Sequence, residues 1–182
     1  MRLSDRRLPA YTWGSTEDER ARTYPCDRYL PEAQDEYFRA VTVRAPAQQI
    51  FRWLCQLKAA PYSYDWIDNF GRTSPRQLQP GVDNLEAGQR VMTIFRLAEF
   101  GRDRHLTLLL DTPRAVRLFG HIALSYTIIP LDAASCRMVA KLRVQYPDHP
   151  LKFWMKWLLP WGDWIMMRKQ LLTLKRLAEC NV

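Results

Sequence analysis

The 182-residue chain carries none of the short signatures by which catalytic centres are most easily read. It has no G-x-S-x-G elbow, no Walker loop and no G-x-G-x-x-G turn, so triad hydrolysis and nucleotide chemistry have no support. Its three histidines, His105, His121 and His149, show no metal-ligand spacing, and no H-E-x-x-H occurs. No metal and no cofactor are therefore expected. The four cysteines, Cys26, Cys55, Cys136 and Cys180, lie far apart with no C-x-x-C pair. That pattern fits reduced, partly buried thiols in a cytoplasmic protein rather than a disulfide framework. The N-terminus has no apolar h-region, so no secretory signal is expected. No run of about 18 apolar residues exists to span a membrane. Leu151 to Met167 comes nearest, but Lys152, Lys156, Pro160, Gly162 and Asp163 interrupt it.

What is present points to one soluble domain. A hydrophobic fraction of 47% with 25% charged residues is ordinary for a globular chain of this length. The aromatic share of 12% is high enough to imply either a large core or an aromatic-lined cavity. Net charge is +8, carried mostly by arginines spread along the chain, with Arg2, Arg6 and Arg7 the nearest thing to a basic arm. No helix-turn-helix, zinc-finger or RNA-binding signature accompanies that charge, and nucleic acid is not an expected partner.

Taken in order, residues 1–36 read as an N-terminal arm packed on the body, and residues 37–182 as a single domain. Within the arm, Thr16 to Arg22 reads as a short helix, with Ser15 or Thr16 as its cap and Glu19 as the reciprocal partner. Tyr37 to Arg44 alternates as a first strand, and Pro46 then opens a helix with Ile50, Trp53, Leu54 and Leu57 at helical spacing. Pro61 to Gly71 is dense in aromatics and reads as a short capped helix; residues 72–88 read as loop. Strands are then expected at Gln89–Leu97, Arg104–Leu110, Arg114–Phe119, His121–Leu131 and Ser135–Tyr146, the last two joined by a D-A-A hairpin. The last strand sets Met138, Ala140, Leu142 and Val144 against Arg137, Val139, Lys141, Arg143 and Gln145, which predicts one dry face and one wet face. From Pro150 to Glu179 a long helix closes the chain. Trp164, Met167, Leu171, Leu174 and Ala178 form its stripe. This order describes an α+β helix-grip fold: a curved antiparallel sheet wrapped around a long C-terminal helix, with an internal cavity between them.

Three stretches carry a family resemblance. They are W-G-S-T-E-D-E-R from Trp13, A-P-A-Q-Q-I-F-R-W-L-C-Q from Ala45 running into Y-S-Y-D-W-I-D-N from Tyr62, and G-D-W-I-M-M-R-K-Q-L-L-T-L-K-R-L-A-E from Gly162. On these the chain resembles the START-like helix-grip superfamily, also called SRPBCC or polyketide cyclase/dehydrase-like, in a branch of uncharacterised bacterial members. The resemblance implies the fold and an apolar cavity. It implies no particular reaction, because that superfamily includes lipid carriers, hormone binders and cyclases.

The expected function is binding of a hydrophobic small molecule or lipid, as carrier or sensor. The alternatives are a cyclase/aromatase-type enzyme acting on a polyketide-like substrate and a membrane-contacting lipid-transfer protein. Tyr62, Tyr64 and Trp66, each an apolar body with a polar tip, are candidates to line or gate the cavity. Phe95, His105, Tyr126, Trp164, Met167 and Leu171 complete the candidate ligand-binding set. Asp65 and Asp68 could serve as acid and base, though caps of a short helix are the plainer reading. Arg96, Arg137, Lys141 and Arg143 are expected on a solvated outer face; an inward Arg96 would instead hold a ligand carboxylate. Residues 151–167, aromatic with Lys152 and Lys156, suit transient contact with a membrane.

Overall fold

A computed structural model describes residues 8–64, 66, 71, 73–148 and 152–180. Six antiparallel strands form one open sheet in the order β1-β6-β5-β4-β3-β2. They are β1 (Asp35–Val43), β2 (Arg90–Val91), β3 (Phe95–Gly101), β4 (His105–Leu110), β5 (His121–Pro130) and β6 (Cys136–Gln145). The first strand and the second thus sit at opposite edges. Helix α3 (Ala47–Cys55) and the long segment after it make that crossing. The final helix, α5 (Lys152–Cys180), lies over the inner face of the sheet with α3 beside it.

The core forms where the two periodicities meet. Alternation along the strands puts Val41, Leu106, Leu108, Leu124, Met138 and Ala140 on the inner face. Helical spacing brings Ile50, Trp53 and Leu54 of α3 and Met167, Leu171, Leu174 and Ala178 of α5 against them, all buried. Each buried Leu or Ile stabilises the fold by roughly 1.5–3 kcal/mol relative to an exposed one.

Of the expected short helix at 61–71, residues 65 and 67–70 lie outside the described residues; the other expected elements hold with two corrections. Gln89–Leu97 is not one strand: Met92 and Thr93 take left-handed backbone conformations (φ 49° and 65°) and turn the chain back between β2 and β3. Arg114–Phe119 is not a strand but part of helix α4 (Pro113–Phe119). Pro113 stands at its first position, where no N–H is needed, and Gly120 ends it at φ 82°. A Cβ at Gly120 would lie 2.1 Å from the Gln145 carbonyl, so only glycine passes there.

The outer face is not wet, and the arm is the reason. After helices α1 (Pro9–Thr12) and α2 (Glu17–Ala21) the chain crosses the sheet and buries Tyr24 and Cys26 against Phe38, Ala40, Ala123 and Val139. The expected capping box is present: Thr16 Oγ1 accepts from the Glu19 N–H, and the Glu19 carboxylate accepts from the Thr16 N–H. Gly14, at φ 73°, passes so close to the edge strand that a Cβ would lie 2.0 Å from the Ala40 carbonyl oxygen. The neighbouring Trp13 carbonyl accepts from the Ala40 N–H and so covers the open edge of β1.

Arg137, Lys141 and Arg143 therefore face the arm rather than solvent. Arg137 bonds Glu19 at 2.7 and 2.9 Å, and Lys141, only 4% exposed, reaches Asp27 at 2.6 Å. Arg143 bonds Asp27 at 3.1 Å and also pairs with Glu36. Among the described residues no helix is long and apolar enough to cross a membrane, and all four cysteines are free.

Burial pushes the Glu19 and Asp27 carboxyls up. The hydrogen bonds and charges of Arg137 and Thr16 on Glu19, and of Lys141, Tyr24 and Arg143 on Asp27, outweigh it and hold both below the ordinary carboxylate range. A depressed folded value means stability is present above the unfolded value and is lost as pH falls through the folded one. Amide hydrogen exchange across residues 16–30 should accelerate as pH drops below about 4, relative to that across α3 after correction for intrinsic rates. Uniform protection of both segments down the same pH series would show that these pairs do not hold the arm.

Candidate functional site

Along α5 the sheet-facing side chains change character. In the C-terminal half they are buried, whereas between Lys152 and Met166 Pro160 alone is fully so. Opposite this half the sheet presents Leu110, Ile122, Leu124 and Leu142 to an open space of about 440 Å³. Helix α5 closes it with Met155, Leu158, Leu159, Gly162, Met166 and Met167. The β2–β3 turn adds Met92 and Ile94, β3 adds Phe95, and α4 adds Phe119. The volume lies within the roughly 300–1,000 Å³ of small-molecule sites.

Three polar side chains interrupt the apolar wall: Ser63, Asp163 and Gln170. Gln170 is buried and fully engaged. Its Nε2 donates to the Pro61 carbonyl at 2.6 Å, and its Oε1 accepts from the Tyr126 hydroxyl at 2.5 Å. Burial pushes the Tyr126 hydroxyl far above its ordinary value, so it stays a neutral donor.

Asp163 meets Arg39, an arginine with no exposed surface in the middle of β1. One guanidinium nitrogen of Arg39 lies 2.8 Å from Asp163 Oδ2 and also donates to the carbonyls of Ala10 at 2.7 Å and Pro160 at 3.3 Å. The second terminal nitrogen donates to the Phe38 carbonyl at 2.9 Å, and Nε finds no hydrogen-bond partner among the described residues. Burial pushes the Asp163 carboxyl up, and Arg39 pulls it part of the way back. Burial likewise pulls the guanidinium down against the opposing charge of Asp163. Next to this pair Tyr37 and Tyr146 share a hydrogen bond of 2.5 Å, and Tyr146 donates to Asp35 at 2.9 Å.

Of the residues singled out from sequence, Phe95 and Met167 reach the wall. Tyr126 and Leu171 are buried, Tyr126 reaching the wall through Gln170. Trp164 is half-buried, edge-on to Trp161 at 5.7 Å.

His105 is not at the cavity. It shares the outer face of β4 with Thr107 and Leu109, the face the arm covers, because its parity along the strand is opposite to that of Leu106 and Leu108. Burial and the charges of Arg28 and Arg104 lower its pKa. Arg96 is also on the outer face, paired with Asp111 at 3.5 Å.

Tyr62 does not line the cavity either. It is buried at φ 57°, accepting from Gln56 Nε2 at 2.7 Å and donating to the Pro75 carbonyl at 2.8 Å. It braces the loop that carries Ser63 to the wall. Tyr64 is half-buried and Trp66 is 76% exposed. Asp65, Asp68 and His149 lie outside the described residues.

Ser63, Asp163 and Gln170 were not among the candidates. Two of them had a signal: Asp163 is the one acid in a long apolar and basic stretch, and Gln170 breaks the apolar stripe just before Leu171.

Removing one member of a buried pair leaves the other uncompensated. Arg39→Met should lower unfolding stability by about 3–5 kcal/mol. Adding Asp163→Leu should restore part of it. With Arg39 gone the carboxyl rises further, so its proton is held more tightly in the folded state, and the single variant should lose stability as pH rises from 4 to 7. Urea melts at both pH values check this; a pH-independent loss would mean that Asp163 is not the stranded charge.

No family model matches the chain, and no curated protein matches it in sequence. Its likeness is to solved structures. The protein MLL2253 from Mesorhizobium loti superposes with a TM-score of 0.52 at 11% identity, covering 80% of this chain and 98% of that one. The di-domain ARO/CYC BexL from the BE-7585A biosynthetic pathway gives a TM-score of 0.51 at 14% identity over 80% of this chain. This chain spans about half of that protein, 47% of its length. A START superfamily protein from Mycobacterium smegmatis matches more loosely, with a TM-score of 0.41 at 14% identity over 75% of this chain and 98% of that one. The architecture, an antiparallel sheet under a long C-terminal helix, is the helix-grip fold.

Proposed function

We propose that the protein binds a hydrophobic small molecule, or the apolar part of a lipid, between the sheet and α5, as a carrier or sensor. The observation that supports this reading most is the wall itself: Leu, Ile, Met and Phe side chains around about 440 Å³, with Ser63, Asp163 and Gln170 as the polar points. Every 100 Å² of apolar ligand surface moved from water onto such a wall favours binding by about 2.5 kcal/mol before the costs of immobilisation. The polar points would orient the ligand.

A cyclase/aromatase-type activity draws less support. General acid–base chemistry needs titratable groups placed to exchange protons with the substrate. Among the described wall residues Asp163 is the one carboxyl, already held by Arg39, and no other titratable side chain lines the wall. The free thiols fit a reducing compartment such as the cytoplasm.

The neutral fluorophore N-phenyl-1-naphthylamine should brighten on addition of the protein. Leu142→Trp, which fills the space from the sheet side, should weaken that binding about tenfold or more. Leu142→Phe should do so less, and a thermal melt of both keeps misfolding separate from occlusion. Equal binding by the folded variants would place the fluorophore elsewhere and remove the cavity from the function.

A further inference from the structure

We infer that the N-terminal half of α5, together with α4, forms a docking surface for an anionic lipid bilayer, with the mouth of the cavity opening against it. For what passes through the mouth this rests on the cavity reading above; for the docking itself it does not.

The first observation is a helix with two apolar faces. Met155, Leu159, Gly162 and Met166 recur at spacings of three and four and look into the cavity. On the opposite side, Phe153, Trp154 and Trp157 are 71, 63 and 70% exposed, and Leu158, at the rim between the two faces, is 63% exposed. Trp161 and Ile165 continue the stripe at 38 and 48%. So large and contiguous an apolar surface marks an interaction site. Tryptophan, with a polar N–H on an apolar ring, is the residue favoured at the headgroup level of a bilayer.

Charge selects the occupant. From Lys152 to Arg176 the helix carries six cations, of which Lys152 pairs with Asp148 and Lys175 with Glu179, and one acid, Asp163, which is turned inward onto Arg39. Arg168 is exposed at the end of the outer stripe. A two-fold contact between copies of this chain would set such cations against their equals. A surface of anionic headgroups pairs with them instead.

The second observation lies on α4. That helix places Phe119 in the cavity wall and leaves Leu118 48% exposed. Arg114 and Arg117 are exposed beside it, without an ion pair among the described residues. Leu158, on α5, is at once exposed and part of the wall. Both helices that bound the cavity therefore offer apolar side chains and cations outward. An apolar molecule moving between bilayer and cavity would meet Leu158 and Phe119 without crossing water.

Flotation of the full chain with vesicles tests this. Binding to phosphatidylcholine vesicles should be weak, should strengthen on addition of phosphatidylserine, and should weaken in high salt. Trp154→Ser with Trp157→Ser should cut the partition by about tenfold or more. Arg114→Gln with Arg117→Gln should reduce the preference for phosphatidylserine. These four side chains lie outside the cavity, so the melting temperature and the affinity for N-phenyl-1-naphthylamine in vesicle-free solution should be unchanged.

Failure to float with either vesicle, or equal flotation of the tryptophan variant, would overturn the proposal. So would a dimer in solution that the tryptophan variant dissolves, since the stripe would then be a protein interface. Flotation as expected with no fluorophore binding would remove the cavity reading and leave the docking surface standing.

Discussion

The arrangement of this molecule depends on one buried guanidinium. Arg39 sits in the middle of an edge strand with no exposed surface, and its donors reach three elements: its own strand at Phe38, α1 at Ala10, and α5 at Pro160 and Asp163. A charge in that position is tolerated only with a partner and with its donors engaged. Four acceptors engage its two terminal nitrogens, and Nε alone is left without a hydrogen-bond partner among the described residues. The pair anchors α5 midway along its length. The half beyond Asp163 packs onto the core, and the half before it spans an open end of the sheet.

That division gives the two halves of one helix different roles. From Met167 onward the stripe is filled core, contributing stability. Before Asp163 the same helix has space beneath it and exposed aromatics above it, which contributes little to the packed interior. A continuous Leu-rich stripe would have packed against Leu124 and Leu142 and closed the gap. Instead Gly162 contributes no side chain, and the methionines at 155 and 166 are flexible fillers of the kind that tolerate ligands of varied shape.

The two faces of the sheet are buried by different parts of the chain, and this explains the polar side chains of β6. Lys141 and Arg143 read as solvated from alternation alone, yet Asp27 and Glu36 meet them beneath the arm. The outer face is held by charge and hydrogen bonds, the inner one mostly by apolar area. The cavity lies on the inner side.

Local periodicity and capping determined much of the architecture. The stripe from Met167 to Ala178 places α5, the Thr16–Glu19 box places α2, and Ile50 to Leu54 places α3, because each depends on neighbours a few residues away. Alternation also determined which side chains share a face: His105 has the opposite parity to Leu106, and so lay on the outer side once the inner one was known. Local pattern failed where backbone geometry overrode it, at the left-handed pair Met92–Thr93 and at α4, whose six-residue core could be read in either period. What only the tertiary structure decided is the space itself, and with it the partners of Gln170, Asp163 and Tyr62. An unfilled volume arises from where two distant surfaces stop short of each other, and no pattern within either surface records that distance.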